Sequence, residues 1–276
     1  MAVASDTRGI LNPFNGLQRF ELDRREPPPE LAPWVQRYWM VRWNLPAGEQ
    51  FEQEVLPHPS VQLAFEAHGA TVHGIGTRRF LARLEGSGRV LGVKFSPGAF
   101  VAFSARPMAD LVDRVLPLGD VFGDKAEAWA RQVVAEPDAD RATQRISAYL
   151  SGLAPSRDAD AEAVATLVAR VQSDRSVTRS EALARHAGMS QRSLQRLFER
   201  YLGLGPKWVI CRARVQDAAE RIANGAAVDW AALAVELGYH DQAHLIHDFK
   251  AQVGFTPAAY AERCALGARE APVSPR

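Results

Sequence analysis

The sequence predicts an α+β chain, with a small antiparallel barrel or sandwich plus helices first and an all-helical domain after it. Three observations predict this. Short β-favouring runs separated by turn residues fill positions 34–95. After Pro97 the apolar residues recur at helical spacing. The last third holds two helix pairs, each broken by a glycine, and the turn glycines Gly188 and Gly238 lie 50 residues apart.

The 276 residues suffice for one large domain or two of ordinary size, and 47% hydrophobic with 24% charged content excludes a wholly disordered or fibrous chain. No apolar run is long enough to cross a membrane. The start, MAVASDTRGILNPFNG, lacks the basic-then-apolar layout of a signal peptide. Two cysteines, Cys211 and Cys264, make no disulfide framework, which fits a reducing cytoplasm.

Residues 1–33, with Pro27-Pro28-Pro29 and Pro33, read as an extended lead-in. In the first domain, 34–153, Tyr38 to Trp43, Phe51 to Val55, Val61 to Phe65, Thr71 to His73, Phe80 to Leu84 and Arg89 to Phe95 read as strands. Helices are expected over 124–135 and 138–153, with Trp129, Val133, Ile146 and Leu150 on their inner faces. Residues 154–159 look like a linker, 160–265 form the helical domain, and 266–276 should be a loose tail.

In the helical domain Thr178-Arg179-Ser180-Glu181 has capping-box spacing, with Thr178 as the cap. Leu183 and Ala184 face inward on the short helix that follows, and Gly188 stops it. Ser190 caps a second helix with Leu194, Leu197, Phe198, Tyr201 and Leu202 on one face. Its other face shows Arg192, Gln195, Arg196 and Glu199. Arg pairs bidentately with guanine, and Gln with adenine, in a major groove. Gly205-Pro206 starts a long connector helix that runs to about Asn224-Gly225. The pattern then recurs: Asp229 precedes a short helix ended by Gly238, and Asp241 opens a helix that buries Leu245, Phe249 and Val253. Gln242, Ala243, Ile246, His247 and Lys250 fall on its other face. Eight basic residues lie between Arg179 and Arg214 against two acidic ones, although the whole chain carries only +1. A basic segment on a near-neutral chain suits phosphate contact.

These residues carry a resemblance. Residues 177–260 resemble the DNA-binding domain of AraC/XylS-type transcriptional regulators. Leu183-Ala184, Leu194-Gln195-Arg196-Leu197-Phe198, Arg212-Ala213-Arg214, Leu237-Gly238-Tyr239, Asp248-Phe249-Lys250 and above all Gly254-Phe255-Thr256-Pro257 carry the likeness, over about a third of the chain. The resemblance implies that each second helix enters a major groove, with the two grooves about one turn (~34 Å) apart. It places base reading on Arg192, Gln195 and Arg196 in the first unit and on Gln242, Ala243, Ile246 and His247 in the second. Phosphate contact is expected from Arg179, Lys207, Arg212 and Lys250. Such a chain is a cytoplasmic regulator, monomer or homodimer, acting on double-stranded DNA and RNA polymerase, with activation the usual outcome. His247 stands where the family usually has Arg, and imidazole lacks the charged fork of guanidinium.

Residues 34–123 resemble more loosely the N-terminal domain of a subset of these regulators, through Tyr38 to Trp43, Leu56 to Val61 and Leu91 to Gly98. Such domains are often cupin-like β-barrels that bind a small-molecule effector or dimerise. Trp39, Arg42, Trp43 and Phe65 are the candidate pocket residues, barrel core being the alternative. Arg42 and Lys94, on strands, would meet an acidic ligand or solvent. No H-x-H pair of the kind cupin metal sites use occurs in 34–100, and no nucleophile elbow, Walker loop or dinucleotide fingerprint appears. Neither a metal nor a cofactor is expected, and an enzyme has no positive support. The alternative function is a ligand-binding or catalytic barrel to which the DNA-binding module is fused.

Overall fold

Alternating side chains in residues 34–95 build two antiparallel sheets. The computed structural model describes residues 7–153, 155–225 and 229–269. Its strands are β1 (Phe20–Arg25), β2 (Val35–Asn44), β3 (Gln50–Val55), β4 (Gln62–Glu66), β5 (Gly69–His73), β6 (Phe80–Glu85), β7 (Ser87–Phe95) and β8 (Val115–Pro117). Six form a sheet of order β1-β2-β7-β4-β5-β8, and β3 pairs with β6 as a separate ribbon. The chain passes from the ribbon into the sheet at Gly86, whose φ of 53° suits a residue without Cβ.

The two faces of the large sheet are unlike, because paired residues share a face. One face carries the row Tyr38, Val93, Leu63, Val72 and the row Met40, Leu91, Phe65, Ala70, all of them buried. Helices α3 (Asp124–Ala135) and α4 (Ala139–Gly152) cover this face. Phe65 meets Trp129 edge-on at 5.4 Å, and the Tyr38 hydroxyl lies 2.8 Å from Ser147 Oγ. The other face, toward the ribbon, carries Arg37, Lys94, Gln62 and His73 in one row and Arg24, Trp39, Gly92, Ala64 and Thr71 in the next. Phe80 of the ribbon meets His73 edge-on at 5.8 Å.

The lead-in expected over 1–33 is corrected by β1, an edge strand on β2, and by the short helix α1 (Pro13–Gly16). Leu11, Phe20 and Leu31 are buried. Charged side chains every second residue conceal this strand in the sequence, since an edge strand needs only one buried face.

After α2 (Leu118–Phe122), α3 and α4, the helical domain comprises α5 (Ala159–Ser173), α6 (Ser180–His186), α7 (Gln191–Leu202), α8 (Pro206–Ala223), α9 (Trp230–Glu236), α10 (Gln242–Val253) and α11 (Pro257–Arg269). The expected linker at 154–159 is no break in the core. One apolar cluster runs from the sheet through Phe95 and Phe100 to Val164 and Val168 of α5, then on to Leu183, Leu194 and Phe198. Asp158 caps α5, accepting from the backbone of Asp160 and Ala161, and also accepts from the Tyr201 hydroxyl at 2.6 Å. That Tyr201 bond, first among several causes, holds Asp158 below its ordinary carboxylate range. Because the folded value is the lower one, this stability is present above the unfolded carboxylate range and is lost as pH falls through it. Asp158→Ala should cost about 1 kcal/mol in thermal unfolding, with an unchanged midpoint counting against the role.

The tail expected from 266 is helical to Arg269; the rest of it lies outside the described residues.

Candidate nucleic-acid interface

Local chemistry sets each helix of the two units. Ser190 accepts from the backbone of Ser193 and starts α7; Asp229 accepts from Ala231 and Ala232 and starts α9; Asp241 accepts from His244 and starts α10. The turns at Gly188 and Gly238 have φ of 64° and 72°. Thr178 is not the cap expected of it, because α6 begins at Ser180 with Arg179 at its N-cap and no capping side chain. A Cβ at Gly238 would overlap the Thr178 side chain, so this threonine packs the entrance of the first unit against the turn of the second.

Leu194, Phe198 and Leu202 of α7 and Leu245, Phe249 and Val253 of α10 are fully buried. That orientation leaves Arg192, Gln195 and Arg196 exposed on α7, and Gln242, Ala243 and His247 exposed on α10, with Ile246 half-buried beside them. The Gln195 amide donates to Glu199 at 2.6 Å. His244 lies 3.7 Å from Asp248 and edge-on to Tyr239. Arg179, Lys207 and Lys250 are exposed.

Arg212, expected on phosphate, is placed elsewhere. It is 3% exposed, donates to the carbonyls of Thr77 at 2.6 Å and Gly76 at 3.3 Å, and lies over the Trp208 ring. Burial lowers its pKa to about 10. It ties the connector helix α8 to the N-terminal domain. Arg214 is likewise committed, its guanidinium 3.5 Å from the Tyr239 ring centroid.

Further ties between the domains lie beyond the reach of sequence reasoning. Arg79 donates to the Val253 carbonyl at 2.6 Å and stacks on Phe255, and Arg263 stacks on the same ring. Glu54 lies 3.6 Å from Arg79 and 3.4 Å from Arg263. Arg8 pairs with Glu220, and the backbone of Asn12 donates to the Tyr260 hydroxyl. A cleft of about 940 Å³ remains between the domains, with His58, Pro59, Gln172, Val209 and Ala213 among its walls. None of the residues that touch the N-terminal domain belongs to the exposed sets on α7 and α10.

The candidate effector pocket does not assemble. Trp39 and Trp43 lie on the ribbon side of the large sheet, packed over Gly92 and Gly88, whereas Phe65 is core on the helix side. Arg42 shares the Phe65 side but is exposed at its margin. Alternation along β2 separates these groups across the sheet.

Cys211 is also committed. Its thiol donates to Asp248 at 3.1 Å and accepts from Gln252 at 3.0 Å. Burial, then Asp248, pushes its pKa up to about 12, so it stays an unreactive thiol at neutral pH. Among the described residues no His, Cys, Asp or Glu cluster is arranged to hold a metal, and no helix is long and apolar enough to cross a membrane.

Two glycine-turned helix pairs on one connector define a DNA-binding regulator of the paired helix-turn-helix class. Residues 183–263 match a family described as a helix-turn-helix domain, and the C-terminal domain is of the AraC type. Residues 23–117, the two sheets without their covering helices, match a domain of unknown function (DUF6597). No curated protein matches the chain. Among solved structures, an AraC-type regulator from Chromobacterium violaceum is 20% identical, with 36% of this chain and 88% of that one covered and a TM-score of 0.33. The DNA-binding domain of AdpA, solved with a target DNA, is 26% identical over 42% of this chain and all of that one, at 0.34. ToxT from Vibrio cholerae is 11% identical over 88% of this chain and 98% of that one, at 0.40.

Proposed function

We propose that this chain regulates transcription by reading two adjacent major-groove segments. Arg192, Gln195 and Arg196 on α7 read one, and Gln242, Ala243, Ile246 and His247 on α10 read the other. Arg179, Lys207 and Lys250 hold phosphates. The observation that carries the reading is the orientation of the two helices. Their apolar faces are consumed by the core and their polar faces stay clear of every contact with the N-terminal domain. Bound upstream of a promoter in this way, the protein acts through RNA polymerase, and activation is the outcome proposed.

The His247 position tests the second helix. Neutral imidazole offers one donor and one acceptor, where Arg offers a charged fork. His247→Arg should therefore tighten binding to a fragment carrying both half-sites, by about 1–3 kcal/mol if the new fork meets a guanine. Operators selected from random DNA and footprinted with both proteins provide the measurement. Equal affinities and equal protection of the second half-site would remove His247 from the reading surface.

A further inference from the structure

The ribbon-facing side of the large sheet is built against the usual rule. Arg37, Lys94, Gln62 and His73 stand in register on β2, β7, β4 and β5, in a row about 14 Å long at normal strand spacing. The adjoining row adds Arg24 and Trp39, with Gly92 and Ala64 between Trp39 and Thr71. The apolar core of the domain lies on the opposite face. Toward its far end the polar face passes into a small apolar cluster that includes Phe20, Leu22, Val41, Trp43 and Leu84.

Lys94 is the decisive residue. It is 6% exposed in the middle of the sheet, and among the described residues it has no ion pair and no hydrogen bond. An ammonium removed from water without a counter-charge is among the costliest groups a fold can hold. The charges that act on it are Arg37, Arg24 and Arg8, all of its own sign, and together with burial they push it well below the ordinary lysine range. His58 is pushed down in the same way, by desolvation first and then by Lys94. Arg24 and Arg37 make contacts of their own. A second donor on this face is unsatisfied: the Trp39 indole N–H is buried with no acceptor. Buried donors in native proteins are nearly always paired, so two such donors on one face mark a place for an acceptor.

We propose that the space between the sheet and the ribbon is a binding site for a small organic oxyanion. Its carboxylate or phosphate is held by Lys94, the Trp39 indole N–H and Gln62, and its apolar part points toward Trp43 and Phe20. The site gives the N-terminal domain a ligand class, and it stands independently of which residues read DNA.

Thermal unfolding of the full chain tests it, with sodium phosphate and sodium benzoate compared against sodium chloride at constant ionic strength. At about a hundredfold excess over Kd the bound anion should raise Tm by roughly 5 °C. Lys94→Met should lose that rise. A response to phosphate alone identifies a phosphoryl ligand, and one to benzoate alone a carboxylate. In the wild-type protein the same anion should move the Trp39 indole ¹⁵N–¹H resonance, assigned through Trp39→Phe, a readout that holds even if Lys94→Met does not fold. A Tm rise that persists in Lys94→Met places the anion elsewhere, on the basic DNA-binding surface for example, and overturns the proposal. So does the absence of any response in both Tm and the indole resonance. DNA affinity measured on the same samples keeps the two readings apart, since intact DNA binding beside a failed anion response sinks only this one.

Discussion

Raising monovalent salt from 50 to 200 mM should weaken operator binding about 500-fold. The estimate follows from counting cations that can reach phosphate. Of the eight basic residues between Arg179 and Arg214, Arg212 is buried against the N-terminal domain and Arg214 is stacked on Tyr239. Arg192 and Arg196 face bases in the proposed reading. Arg179, Arg185, Arg200 and Lys207 remain exposed in that segment, with Lys250 on the second unit. Five released counterions give a slope of about −4.5 in log affinity against log salt. Were Arg212 and Arg214 also on phosphate, the slope would steepen to about −6. Anisotropy titrations over that salt range separate the two cases. A flat response would falsify the assignment of this surface to DNA.

The different fates of these arginines show where sequence is informative. The helix pairs are legible because their determinants are local. Ser190, Asp229 and Asp241 cap, Gly188 and Gly238 turn, and a 3.6-residue period says which face is buried. Arg192 and Arg212 look alike in such a reading, each an arginine on a helix. What separates them is the loop at Gly76 and Thr77, over a hundred residues away, whose carbonyls happen to meet α8. No local pattern encodes that meeting.

The sheet failed to read for a related reason. Along β2, Tyr38 and Met40 alternate with Trp39, Val41 and Trp43, so both faces are apolar enough to be core. Which one is core depends on register: Met40 pairs with Leu91, which pairs with Phe65, and that row meets Trp129 of α3. Grouping Trp39, Trp43 and Phe65 in one pocket joined residues that the sheet holds apart. The same register places Lys94 opposite the core, which its position in an apolar run hides. The charged strand β1 was missed because its charges suit an edge and mimic a linker.

Arg196→Ala should weaken specific binding by about 1–3 kcal/mol, roughly 5- to 150-fold, and relax preference at one base pair. The side chain is exposed on α7 between buried Leu194 and Phe198, so the helix that carries it is fixed by the core. Its neighbour Gln195 is held by Glu199 and must exchange that partner for a base. Arg196 has no ion pair among the described residues, so its fork is available without such an exchange. Because it is exposed, the substitution should leave the thermal midpoint nearly unchanged, which separates lost reading from lost folding. Arg196→Lys sharpens the test. It keeps the charge and loses the planar fork, so a base reader is impaired by both substitutions, whereas a phosphate contact tolerates lysine. Selection of binding sites from random DNA with each protein shows the difference directly. An Arg196→Ala protein that keeps the wild-type consensus and affinity, or an Arg196→Lys protein indistinguishable from wild type, would move base reading from Arg196 to Arg192.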